Sequence, residues 1–155
     1  MELREKLGEL GIELPEVPVA VAEYVPAVRC GQDVFVSGQL PLREGHLVAE
    51  GVVPSEVSLD EARQAAEQAT LNAIAAADQA LEGDWSRFER VARLAVYVAS
   101  DADFHLQHKV ANGASELLGR IFGEAGRHAR AAVGASALPL RAPVEVELLL
   151  RLRTS

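Results

Sequence analysis

Cysteine is almost absent from this chain: Cys30 is the only one in 155 residues. No disulfide can form within the chain, and a small secreted fold stapled by cross-links is excluded. Lysine is nearly as scarce, occurring only at Lys6 and Lys109, so the basic side chains are almost all arginine. Apart from Arg127, His128 and Arg130 they are scattered along the chain. Against 23 acidic residues they leave a formal net charge of -8. A field of that sign repels polyphosphates, so nucleic acid is not an expected partner. Long apolar runs are missing as well. No stretch of about 18 residues is free of charge, so no membrane span is expected. The opening residues Glu2, Arg4, Glu5, Lys6 and Glu9 occupy the place where a secretory leader would be apolar. These absences point to a cytoplasmic protein.

Signatures of cofactor chemistry are missing too. Gly38, Gly45 and Gly51 fit neither a Walker nor a dinucleotide pattern. His105 and His108 are three residues apart, but no spaced carboxylate or cysteine completes a metal-ligand set. Cys30 has no histidine near it in sequence to activate the thiol. Neither a metal nor an organic cofactor is expected.

What remains is a globular composition, about half apolar and a quarter charged, at a length suited to one domain. Leu3, Leu7 and Leu10 recur at helical spacing, and Gly11 fits the stop of a short opening helix within an N-terminal extension, residues 1–18. Val19 to Arg29 and Val34 to Leu40 read as strands around a turn at Gly31. A second turn, Arg43 to His46, leads to a short strand at Leu47 to Ala49. Ser58-Leu59-Asp60-Glu61 matches a capping box. Behind it a stripe of small residues, Ala62, Ala65, Ala66, Ala69, Ala73 and Ala77, suits a helix lying close to a sheet and ending at Gly83. Val91 to Ala99 reads as a buried strand, Val110 to Phe122 as a helix, and Ala129 to Ala135 and Val144 to Leu152 as closing strands. The order β-β-β-α-β-α-β-β predicts a two-layer α/β sandwich, a sheet packed by two helices.

In the last strand Val144, Val146, Leu148, Leu150 and Leu152 share one face by the period of two. Glu145, Glu147 and Leu149 share the other, which suggests that a partner covers it. A carboxylate in a partly dry pocket has a raised pKa and can pass protons near neutrality. A solvated or ion-paired pair of strand carboxylates is the plainer reading of the same residues. Arg130 stands among Ala129, Ala131, Ala132 and Val133, where its planar fork can grip a carboxylate or phosphate. An interface or surface ion pair accounts for it equally well.

Taken together the residues resemble the YjgF/RidA family of reactive-intermediate imine deaminases. Val36-Ser37-Gly38-Gln39-Leu40-Pro41 resembles its strand-and-turn motif. Arg130 to Val133, Ala137-Leu138-Pro139 and Val144-Glu145-Val146-Glu147 resemble its closing signature, and Tyr24 falls where the family carries a tyrosine. The resemblance implies a chorismate-mutase-like fold in a homotrimer whose sheets join into a central barrel, with a small-molecule site at each interface. It implies that Arg130 clamps the carboxylate of a 2-imino acid and Glu145 serves the attacking water. Tyr24, Ser37 and Gly38 would line the pocket, and the amide of Ala132 would donate to the substrate.

The chain also departs from the family. Ala131 and Ala132 stand where imine deaminases carry hydroxyl or other polar residues, and His128 replaces a proline two residues before the arginine. The turn after Pro41 is shorter, and an extension precedes Tyr24. Hydrolytic deamination is therefore weighed against a non-catalytic carboxylate-binding trimer. The endoribonuclease or translation-inhibitor role attached to the family finds no basic, aromatic-lined groove in this acidic chain.

Overall fold

A computed structural model describes residues 2–17 and 22–154. The chain opens with helix α1, Leu3–Glu9, whose Leu3 and Leu7 are buried in the core. Gly11, at φ 65°, ends it: Ile12 N–H reaches the Leu7 carbonyl at 2.9 Å and Gly11 N–H the Gly8 carbonyl at 3.1 Å. This is the pairing of a left-handed helix stop. Arg4 also donates to Asp78 at 3.4 Å, so the opening segment packs on the body of its own chain.

The strands are β1 (Ala27–Cys30), β2 (Asp33–Gln39), β3 (Leu42–Arg43), β4 (His46–Leu47), β5 (Phe88–Ala99), β6 (Ala129–Ala135) and β7 (Val144–Leu152). Helix α2 spans Leu59–Ala80 and α3 spans Gln107–Phe122. Five strands form one mixed sheet in the order β1-β2-β7-β5-β6, with only the β5–β6 pair parallel. That pair needs a crossover between its strands, and α3 supplies it. β3 and β4 form a separate two-stranded ribbon.

The expected element order holds, with three local differences. The stretch read as a strand from Val19 begins its ladder only at Ala27; Val19 to Val21 lie outside the described residues. Pro26 has no N–H to give a ladder. The third expected strand is instead one arm of the β3–β4 ribbon. β5 begins at Phe88, and its second face is not buried throughout: Arg93 is exposed and Tyr97 half-buried.

Helices α2 and α3 lie on one face of the sheet. Ser58 and Glu61 cap α2 reciprocally, at 3.2 Å and 2.8 Å, an arrangement worth about 1 kcal/mol. The alanine stripe of α2 is buried throughout. Small residues let α2 and α3 approach so closely that a methyl at Gly113 would meet the Arg63 carbonyl. Val144, Val146, Leu148, Leu150 and Leu152 are all buried beneath the helices, as the period of two requires. No helix among the described residues is long and apolar enough to cross a membrane.

The other sheet face is open. Val28 pairs with Phe35 and Phe35 with Leu149, a continuous apolar row across three strands. Val28 is 51% exposed, Phe35 48% and Val133, further along the same face, 46%.

Candidate functional site

The motif Ser37-Gly38-Gln39 owes its shape to a bulge. Val36 faces Leu148 and Gln39 faces Val146, so Ser37 and Gly38 together oppose Glu147 alone. Such a bulge bends a strand and re-aims its side chains. Ser37 Oγ donates to the Val25 carbonyl at 2.7 Å, and Ser37 N–H to the Pro26 carbonyl at 2.8 Å. These bonds anchor the bend carrying Tyr24, whose ring is exposed. Gln39 Nε2 donates to the Ser37 carbonyl at 3.1 Å. Beyond the motif, buried Asn72 on α2 donates to the carbonyls of Leu40 and Leu42 at 2.8 and 2.9 Å. Gln68 donates to Leu42 and to Asn72 and accepts from Arg43, so the turn is fastened to α2 by a fully paired polar network.

Gly38 makes room for Glu145. A methyl at position 38 would fall on the Glu145 carboxylate. Burial pushes the Glu145 carboxyl above the usual carboxylate range, and the negative charge of Glu147 pushes it further. Tyr97 lies beside this pair on β5, register partner of Glu145, and its hydroxyl donates to Glu147 Oε2 at 3.2 Å. Burial raises the Tyr97 hydroxyl pKa, and the Glu147 charge and hydrogen bond raise it again. The result is a half-buried carboxyl with raised proton affinity, with a phenol and a second carboxylate beside it.

Arg130 lies elsewhere. It pairs with Leu94, a core residue on the helix face, whereas Glu145 pairs with Tyr97 on the open face. Its Nη1 donates to Asn112 Oδ1 at 2.9 Å and Ser115 Oγ at 3.1 Å, and Nη2 reaches the His108 carbonyl at 3.4 Å. Behind Ser115, Oγ and His128 Nε2 are 3.0 Å apart, and His128 Nδ1 lies 2.6 Å from the Gly126 carbonyl. Ala132 sits two residues along β6, half-buried on the same helix face.

Within one chain the six expected residues therefore divide. Ser37, Gly38 and Glu145 meet where β2 pairs with β7, with Tyr24 on the segment that Ser37 anchors. Arg130 and Ala132 lie on β6, on the opposite face and two strands away, more than about 10 Å across the sheet. Sequence reading missed Tyr97, Asn112 and Ser115, and took His128 only as part of a basic cluster and a departure from the family pattern. Tyr97 had a signal in the alternation Arg93, Ala95, Tyr97, which marks a second face of β5. Asn112 and Ser115 had only a helical spacing shared with His108. Among the described residues, no three His, Cys, Asp or Glu side chains cluster as a metal site would require.

Residues 4–152 match the family model described as "YjgF/chorismate mutase-like, putative endoribonuclease". The chain is 41% identical over 147 residues to Protein TCP17 of Trypanosoma cruzi, covering 94% of this chain and 91% of that one. The crystal structure of Atu1372 from Agrobacterium tumefaciens, a protein of unknown function, is 40% identical, with a TM-score of 0.88 over 99% of this chain and 93% of that one. A Shewanella oneidensis structure described as "a putative endoribonuclease" is 36% identical, with a TM-score of 0.92 over 98% of this chain and 100% of that one.

Proposed function

The chain belongs to the YjgF/chorismate mutase-like family, and from that premise we propose that it hydrolyses 2-imino acids and their enamine forms to 2-oxo acids and ammonia. The observation that carries this reading is the Glu145 carboxyl, half-buried over Gly38 with its proton affinity raised by burial and by Glu147. With its proton affinity raised, the Glu145 carboxylate can take a proton from water as the oxygen adds to the C=N carbon. Return of that proton to nitrogen gives the amino-alcohol adduct, and passage of its hydroxyl proton to nitrogen, again by way of Glu145, lets the C–N bond break, with ammonia leaving and the carbonyl forming. Arg130 would hold the substrate carboxylate, with Tyr24, Ser37, Gly38 and the Ala132 amide completing the pocket. The intrinsic reaction is facile, so orientation and one proton acceptor suffice.

The placement of Arg130 and Glu145 on opposite faces supports a site shared between chains, Arg130 from one and Glu145 from its neighbour. The apolar row of exposed Val28 and Phe35 with half-buried Leu149 supports a homotrimer closed through the open sheet faces. A cytoplasmic setting accompanies this reading, since amino-acid breakdown there supplies such imines.

A second reading, a carboxylate-binding trimer without turnover, is favoured by Ala131 and Ala132, which bring no hydroxyl to the clamp. The endoribonuclease wording used for some relatives is less supported here. Glu145 and Glu147 would meet a phosphate backbone with like charge.

An amino-acid oxidase generating 2-imino acids in the presence of semicarbazide tests the proposal. The protein should lower trapped semicarbazone, and Arg130→Ala should not. Unchanged trapping across a panel of amino acids would reject turnover and leave the binding reading.

A further inference from the structure

The guanidinium of Arg130 has five N–H donors, and α3 occupies three of them. Both protons of Nη1 are taken, by Asn112 Oδ1 at 2.9 Å and Ser115 Oγ at 3.1 Å, and one proton of Nη2 reaches the His108 carbonyl at 3.4 Å. Nε–H has no hydrogen-bond partner among the described residues, and Nη2 has only the 3.4 Å bond to the His108 carbonyl. Nε and Nη2 share one edge of the planar fork, and the two oxygens of a carboxylate match that edge with parallel hydrogen bonds.

The three acceptors come from one stripe of α3. Residues 108, 112 and 115 follow one another at spacings of four and three, which stack on a single helix face. Ser115 is itself oriented. His128 Nδ1, 2.6 Å from the Gly126 carbonyl, must donate to it, and in the neutral imidazole this leaves Nε2 as an acceptor for the Ser115 hydroxyl at 3.0 Å. The serine proton points to His128, and an oxygen lone pair is turned to Arg130. The same guanidinium bond draws electron density from Ser115 Oγ and makes it a poor nucleophile, so the pair serves to orient rather than to attack.

We propose that Asn112, Ser115 and His128 are positioning residues that hold Arg130 so that its Nε–Nη2 edge faces one substrate carboxylate. Two open donors suit the two oxygens of a single carboxylate. This inference rests on the reading of Arg130 as the carboxylate clamp.

Calorimetric titration of the full-length protein with 2-oxobutyrate and a panel of short 2-oxo acids tests it, with thermal melting run alongside to confirm folding. Arg130→Ala should abolish binding. Ser115→Ala, Asn112→Ala and His128→Phe should each weaken it about five- to tenfold with the melting temperature nearly unchanged, and Ser115→Thr should restore it. In the imine assay Ser115→Ala, Asn112→Ala and His128→Phe should raise KM and leave kcat close to that of the parent. Binding unaffected by Ser115→Ala and Asn112→Ala, but lost in Arg130→Ala, would overturn the positioning role alone. Binding unaffected by Arg130→Ala, or absent from the parent, would overturn the clamp reading and this inference with it.

Discussion

Gly38 lies directly beneath the carboxylate of Glu145, so close that the space of a methyl group at position 38 is already filled by that carboxylate. The two residues are more than a hundred positions apart in the chain and meet because β2 pairs with β7 around a bulge at Ser37 and Gly38. The glycine is required by its neighbour rather than by a turn.

Gly38→Ala should therefore strike activity harder than stability. The added methyl meets the end of a flexible side chain, so Glu145 can swing aside while the ladder holds. We expect a loss of about 1 kcal/mol or less in urea denaturation, with imine hydrolysis reduced at least about tenfold and carboxylate binding through Arg130 largely kept. Turnover equal to that of the parent would remove Glu145 from the water-handling role.

The raised Glu145 carboxyl makes stability depend on pH in a stated direction. Between the ordinary value of 4.5 and its higher folded value, the folded chain holds a proton that the unfolded chain has released. Stability therefore falls as pH rises through that window. Glu145→Gln removes this titration and abolishes turnover. Its melting temperature should gain on that of the parent as pH rises from 4.5 through the raised folded value and then level off. Parallel melting curves across that range would contradict the burial of this carboxyl.

If Arg130 and Glu145 reach the same substrate from different chains, two inactive variants should complement each other. Unfolding and refolding Arg130→Ala together with Glu145→Gln should restore about a quarter of parental activity, the share of interfaces that pair the two intact residues at random in equimolar mixture. No recovery, with mixed assemblies verified by mass spectrometry, would place both residues in one chain's site.

The open sheet face offers a test of assembly. Phe35, 48% exposed, lies between Val28 and Leu149 in the cross-strand row. Burying such a ring contributes about 2 kcal/mol per subunit, and Phe35→Asp would replace it with a charge. Light scattering at micromolar concentration should give a trimer for the parent and a smaller species for Phe35→Asp. A parent that is monomeric there would sink the interface.

Much of this protein was decided by short-range chemistry. The alternation from Val144 to Leu152, the Ser58 and Glu61 cap, the alanine stripe of α2 and the glycine after α1 each act over a few residues, and each is found where the sequence placed it. The motifs around Ser37, Arg130 and Glu145 were enough to indicate the family. Periodicity also put Glu145 and Glu147 on one strand face. It could not say which face of the sheet Arg130 would share, because that depends on the parallel register of β5 with β6. A shift of one residue there would turn Arg130 from α3 toward the open face. The bond from Tyr97 to Glu147, the clamp of Asn112 and Ser115 on Arg130, and the fit of Gly38 under Glu145 all join distant segments. Local propensity carries no information about such pairs; they exist only once strand register and helix packing are fixed.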